Sequence, residues 1–186
     1  HTLKMLSING IVTDCSHREK DGWGAEIGAN LELLFSHFDA EAFILRYMRD
    51  CRDASFHDGR LPAIIPYRRG IEVSSLGGTY YYGNPIEVAW KGYLYYGNRA
   101  FIEDNFDFLY DFVDYTTGHL KDGIIQPYHF SEGYSEIPKG WIGREGGPIY
   151  FLGDWLSPGM LQDKQEANML FNTAWMIYAT KMVRQM

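Results

Sequence analysis

The apolar positions of this chain fall on helical spacing in several separate stretches. Over 25–37, Ile27, Leu31 and Leu34 share one face, with Phe35 beside it, which predicts an amphipathic helix. Asp39 stands where the N-cap of the next helix belongs. That helix carries Phe43, Ile44, Tyr47, Met48 and Cys51 on one stripe, with Glu41, Arg46, Arg49 and Arg52 outside it. So short a join between two helices predicts an antiparallel hairpin. Asn84-Pro85-Ile86-Glu87 has the form of a helix start, in which Asn caps, Pro opens the first turn and Glu follows three residues after the cap. Ala89, Trp90, Tyr93 and Leu94 continue that helix, and Gly97 stops it. Asn98 can cap the next one, whose stripe is Phe101, Ile102, Phe106, Leu109, Phe112 and Val113, with Gly118 as its end. This predicts a second hairpin, joined tightly at Tyr96-Gly97-Asn98. Asp163 and Glu166 form a capping box ahead of a last face made by Met169, Leu170, Thr173, Ala174, Ile177, Tyr178 and Met182. Residues 1–8 also show near-helical spacing and predict the end of a helix that begins upstream, broken by Asn9-Gly10.

The stretches between the helices are long. Pro62 and Pro66 forbid continued helix after the first hairpin. Residues 67–83 read as an aromatic, glycine-containing loop with Tyr80, Tyr81 and Tyr82 just before a helix start. Residues 119–162 form the longest irregular stretch and carry His119, His129, Glu132, Glu136, Trp141, Arg144, Glu145 and Trp155. Loops of this length are uncommon in a compact domain unless they serve a site. Helical hairpins with little strand signal predict an all-α fold.

Chemistry concentrates in Asp14-Cys15-Ser16-His17-Arg18-Glu19-Lys20-Asp21-Gly22-Trp23-Gly24-Ala25-Glu26. This run holds four acids, two bases, a His and a Trp, directly before a predicted helix. One reading is a solvated, ion-paired turn, since such networks are common in structural roles. The other is a glycosidase site. Cleaving a glycosidic bond needs one protonated and one ionised carboxyl group flanking it, and Trp23 could offer a flat face to a sugar ring.

Composition narrows the choice. A length of 186 residues suits one domain. The aromatic share is 16%, with 14 Tyr, 11 Phe and 5 Trp; such rings stack on sugars, and they also fill helical cores. A net charge of -7 argues against nucleic acid or an anionic membrane as partner. No apolar run is long enough to span a bilayer and no leader starts the chain. The expected location is outside the cytoplasm if a leader was removed, and the cytoplasm otherwise. The two cysteines, Cys15 and Cys51, make neither a disulfide framework nor a metal spacing. They read as thiols, with Cys51 in the core, and no metal or cofactor is expected.

The order Asp14-Cys15, then Arg18-Glu19, then Gly22-Trp23 and Glu26 resembles the signature of family 78 glycoside hydrolases, the α-L-rhamnosidases. Ser16 replaces the family's usual Pro, and Glu26 stands where Asp is commoner. The resemblance implies that Glu19 is the general acid, that Asp14, Arg18 and Glu26 bind sugar hydroxyls, and that Trp23 packs on the ring. Asp58-Gly59-Arg60-Leu61-Pro62 through Pro66 resembles a second, less specific family segment. Gly153-Asp154-Trp155-Leu156 resembles a third, which makes Asp154 and Trp155 further substrate-binding candidates. Where the family tends to carry Trp-Gly-Asp, this chain has Tyr82-Gly83-Asn84, without the acid.

The fold the resemblance implies is an (α/α)6 barrel, of which about five helices make roughly half. Residues 1–186 are therefore expected to be part of a barrel catalytic domain, truncated at both ends, with apolar faces that drive self-association. The implied activity is inverting hydrolysis of terminal α-L-rhamnosides. An inverting enzyme needs a water-activating base roughly 6.5–9.5 Å from the acid, and the family's base lies in a later segment. The alternatives are another barrel glycosidase, a lyase, or a non-catalytic sugar-binding or structural fragment. The motif's acids argue against a lyase, which must neutralise a uronate.

Overall fold

One helix at the centre of the packing organises the others. The computed structural model describes residues 4, 7–8, 10–15, 17–66, 79–126, 153 and 165–186. In chain order the elements are β1 (Ser7–Ile8), β2 (Ile11–Val12), α1 (Gly24–His37), α2 (Glu41–Ala54), α3 (Thr79–Tyr96), α4 (Ala100–Glu103), α5 (Phe106–Thr117), β3 (Leu120–Lys121), β4 (Ile124–Ile125) and α6 (Gln165–Gln185). α3 is the central helix and packs against α1, α2, α4, α5 and α6. Its small residues allow this. A Cβ on Gly83 would enter the rings of Trp175 and Phe112, and one on Gly92 would come within 2.6 Å of Phe101. Around α3 the side chains of Ile27, Leu31, Ile44, Met48, Ile86, Val88, Leu109 and Phe112 are almost wholly excluded from solvent.

The stripes expected for α1 and α2 are buried at Ile27, Leu31, Leu34 and Phe35 on α1 and at Ile44, Tyr47, Met48 and Cys51 on α2, while Phe43 is half-buried at the edge of its stripe. The two helices are joined through residues 38–40, and both lay their apolar faces on α3. Asp39 is not the cap of α2. Ala40 occupies that position and makes no side-chain cap bond. Gly97 ends α3 as expected, at φ +68°, with its N–H on the Tyr93 carbonyl at 2.8 Å. Asn98 is not the cap of α4: Arg99 occupies that position, and Asn98 stands one residue before it, accepting from the Ala100 N–H at 3.0 Å.

Four expectations are corrected. α3 begins at Thr79, so Tyr80, Tyr81 and Tyr82 are helical, and Pro85 lies inside the helix. Asn84 is fully buried and donates from Nδ2 to the Tyr80 carbonyl. Pro85 has no N–H to offer the Tyr81 carbonyl four residues back, and that oxygen faces Gly24, where a Cβ would collide with it. The stripe from Phe101 to Val113 is split between α4 and α5 at Asp104-Asn105. Asn105 bridges the break, donating from Nδ2 to the carbonyls of Ala100 and Phe101, each at 3.1 Å. The break turns Phe106 outward and Phe108 inward. Ser7 pairs with Val12 and Ile8 with Ile11 in an antiparallel hairpin in place of the expected helix end, and Gly10 between the strands sits at φ +84°. A second small hairpin, β3 with β4, stands where irregular chain was expected.

The face of α6 is also rotated from the expected one. Asn168, Asn172, Thr173, Trp175, Met176, Ala179, Met182 and Val183 are buried, whereas Leu170, Ile177 and Tyr178 are exposed. Asp163 lies outside the described residues, as do most of 119–162 beyond Gln126 and the loop 67–78. Among the described residues no helix is long and apolar enough to cross a membrane.

Candidate functional site

The motif is a loop pinched shut and then zipped to a neighbouring segment. Asp14 donates its N–H to the Asp21 carbonyl at 3.0 Å, and Asp21 returns its N–H to Asp14 Oδ1 at 3.1 Å. Inside the loop, the N–H groups of Arg18 and Lys20 both reach the Cys15 carbonyl, at 3.2 and 3.1 Å. Lys20 adopts φ +59° to close this turn. Beyond it the chain runs alongside 63–65. Ile65 N–H donates to the Gly22 carbonyl, and Gly24 N–H to the Ala63 carbonyl, both at 2.9 Å. Trp23 bridges Ile64 between them. A Cβ on Gly22 would strike the Ile65 carbonyl, so glycine is required for this approach. Leu61, Ala63, Ile64 and Ile65 are buried beneath the motif and anchor it.

Three groups of the motif converge. Oxygens of Asp14 and Glu19 and the Cys15 sulfur lie within 4.8 Å of one another. Asp14 and Glu19 are hydrogen-bonded. Two carboxyls so close cannot both ionise freely. Glu19 has its pKa raised, first by the hydrogen bond with Asp14, then by burial and by the Asp14 charge, against the pull of Arg18. For Asp14, burial works upward, but the hydrogen bonds from Glu19 and from the backbone of Cys15 and Asp21 outweigh it and leave the pKa lowered. The contact therefore pushes the two carboxyls apart, Glu19 upward and Asp14 downward. Arg18 pairs with Glu19 Oε1 at 2.6 Å, rather than with Asp14. The hydrogen bond to Asp14 also pushes the Cys15 thiol above its ordinary range.

Glu26 lies in the first turn of α1. Burial, then the charge of Asp14, raise its carboxyl to about 7, although its own backbone hydrogen bond works the other way. Its Oε2 is buried with no hydrogen-bond partner among the described residues. Trp23 is half-buried at the N-cap of α1, with its ring edge-on to Tyr81 at 6.0 Å. The structure thus brings Asp14, Arg18, Glu19, Trp23 and Glu26 into one loop and helix start. Asp154 and Trp155 lie outside the described residues. Of the neighbouring Gly-Asp-Trp segment only Gly153 is described, packed against Asn168. Cys51 is fully buried in the core, as expected. Sequence reading missed two supports of the site. Residues 63–65 pair with the motif, and Tyr81 braces Trp23. The Asp58–Pro66 resemblance marked the first of these segments without revealing its role.

The family model for the bacterial alpha-L-rhamnosidase 6 hairpin glycosidase domain matches residues 2–186. An alpha-L-rhamnosidase of Formosa agariphila is 28% identical over 130 residues, covering 64% of this chain and 13% of that protein. One from an Alteromonas species is 25% identical over 134 residues, covering 66% of this chain and 14% of its own. Among solved structures, an alpha-L-rhamnosidase from Dictyoglumus thermophilum superposes with a TM-score of 0.74 at 24% identity, covering 95% of this chain and 17% of that one. The Streptomyces avermitilis alpha-L-rhamnosidase complexed with L-rhamnose gives 0.67 at 18% identity, covering 98% and 16%. The chain spans a small part of each relative's length. A family model covering nearly every residue, over a mostly helical fold shared with rhamnosidase structures, places this chain in the α-L-rhamnosidase six-hairpin glycosidase family, as part of its helical barrel.

Proposed function

We propose that the protein carrying this domain hydrolyses terminal α-L-rhamnosides with inversion, and that residues 1–186 belong to its barrel catalytic domain. Glu19 is the general acid in this reading. The observation that carries it is the carboxyl pair in contact, with Glu19 pushed upward and Asp14 downward. Neighbouring acids pushed to opposite protonation states mark acid–base assignments. Glu19 gives its proton to the glycosidic oxygen. Asp14, Arg18 and Glu26 hold sugar hydroxyls, and the exposed face of Trp23 takes the ring. The water-activating carboxylate comes from a later segment of the protein.

The test is Glu19→Gln in the full-length protein. Turnover should fall by about 10²–10⁴-fold on a rhamnoside with a poor leaving group. It should fall far less on 4-nitrophenyl rhamnoside, whose leaving group needs little protonation. Equal losses on both substrates would overturn the assignment. A second reading makes Glu26 the acid, favoured by its carboxyl at about 7. Glu26→Gln would then show the leaving-group dependence in place of Glu19→Gln. No release of 4-nitrophenol by the wild-type protein would leave the non-catalytic sugar-binding alternative.

A further inference from the structure

The first amides of a helix need partners from outside it, and at α3 a side chain of α6 supplies one. Asn172 is fully buried. Its Oδ1 accepts from the Thr79 hydroxyl at 3.1 Å and from the Tyr80 N–H at 3.4 Å. The same hydroxyl reaches the Asn172 carbonyl at 2.9 Å. Nδ2 of Asn172 donates to the Asn168 carbonyl at 2.8 Å, which fixes the orientation of the amide. The ring of Tyr80 stands edge-on to Phe171 at 5.5 Å and to Trp175 at 6.1 Å. α6 therefore grips the first turn of α3 with both an amide and two rings, across 93 positions of sequence.

The next residue of that turn is Tyr81, which touches the site. Its ring meets Trp23 edge-on, and its carbonyl abuts Gly24, the first residue of α1. We propose that Asn172 is a positioning residue for the sugar platform: by capping α3 it holds Tyr81, and Tyr81 holds the plane of the Trp23 ring. The inference rests on the reading of Trp23 as that platform. Without the Asn172 side-chain acceptor, the Tyr80 N–H loses this bond and the Thr79 hydroxyl keeps the Asn172 carbonyl alone. The first turn of α3 then loosens and the Trp23 ring is free to tilt. Stacking on a sugar depends on the ring's face, so binding suffers while proton transfer does not.

The experiment compares Asn172→Leu, Thr79→Val, Trp23→Ala and Asn105→Leu in the full-length protein. Asn105 is a buried amide that ties α4 to α5, away from the site, and serves as the structural control. Asn172→Leu should weaken rhamnose binding, measured by calorimetry, about tenfold, and should raise KM for 4-nitrophenyl rhamnoside with kcat changed less than about twofold. Thr79→Val removes the two bonds of the Thr79 hydroxyl to Asn172 and should act in the same direction if Asn172→Leu does not fold. Asn105→Leu should lower the melting temperature without moving the binding constant. Because Asn172 acts through Trp23, the double variant Asn172→Leu/Trp23→Ala should bind no more weakly than Trp23→Ala alone. Additive losses, or an equal loss in Asn105→Leu, would overturn the proposal. Should Trp23→Ala leave rhamnose binding intact, the platform reading fails by itself. Amide hydrogen exchange then decides the clamp: faster exchange over 79–82 and 22–26 in Asn172→Leu supports it, and unchanged exchange refutes it.

Discussion

Glu26 should make the stability of this domain depend on pH, and replacing it with Gln should remove that dependence. The carboxyl is raised from an ordinary 4.5 to about 7, chiefly by burial. A carboxyl with a higher pKa in the folded state than in the unfolded one binds its proton more tightly when folded. Its contribution is fully present below pH 4.5 and is lost as pH rises through about 7. If the group were wholly enclosed, the loss would come to about 3 kcal/mol, at 1.36 kcal/mol for each decade. Partial exposure lets solvent screen the charge, which reduces the figure to about 2 kcal/mol. Glutamine has nearly the same volume and cannot ionise. Cys51 gives a local readout, since its thiol is free, fully buried and reached by reagent only when the domain opens. Cys15 can be changed to Ser beforehand. In mild urea, the rate of Cys51 labelling in wild type relative to Glu26→Gln should climb about 30-fold between pH 4.5 and 8. Taking the ratio at each pH cancels the reagent's own pH dependence. A flat ratio would show that the Glu26 carboxyl is solvated like any surface acid, and the argument from its burial would fail.

Other substitutions test the remaining physical claims. Trp23→Ala should weaken rhamnose binding in calorimetric titration, and its stability cost should fall below the roughly 3–5 kcal/mol of a core Trp, because the ring is only half-buried. Gly83→Ala should lower the melting temperature by an amount equivalent to about 1–3 kcal/mol, since the added methyl enters the rings of Trp175 and Phe112. Gly97→Ala should cost about 1 kcal/mol in urea unfolding from its left-handed backbone alone, as no atom lies within 4 Å of the new Cβ. A larger loss there would mean that the αL turn at the end of α3 is not its cause.

The stripes of α1 and α2 were legible because aliphatic and aromatic residues fill one face and charged residues the other. α6 was not, because its buried face is partly polar. Asn168, Asn172 and Thr173 point inward, where they serve α3 and β4, while Leu170, Ile177 and Tyr178 point out. A reading that equates apolar with buried must place this helix wrongly. Asn84-Pro85 misled for a related reason. It has the chemistry of a helix start, but Asn172 caps the chain earlier, at Thr79 and Tyr80, and the helix runs through the proline. The β1–β2 turn was present in the sequence as Asn9-Gly10, yet strands of two residues leave no alternation to read.

The site divides along the same line. Residue types and their order showed which side chains could meet, since Asp14, Arg18, Glu19, Trp23 and Glu26 lie within one short segment. What each carboxyl does was hidden, because environment decides it and the environment comes from elsewhere in the chain. Residues 63–65 press Gly22 and Gly24 flat, and Tyr81 closes on Trp23. That packing seats the first turn of α1 deep enough to desolvate Glu26. Glu19 stays near the surface and is raised for another reason, the hydrogen bond with Asp14. Two acids separated by seven positions thus reach raised pKa values by different routes. A partner sets the first and burial sets the second, so losing the Asp14 charge should release Glu19 while leaving Glu26 held chiefly by its surroundings.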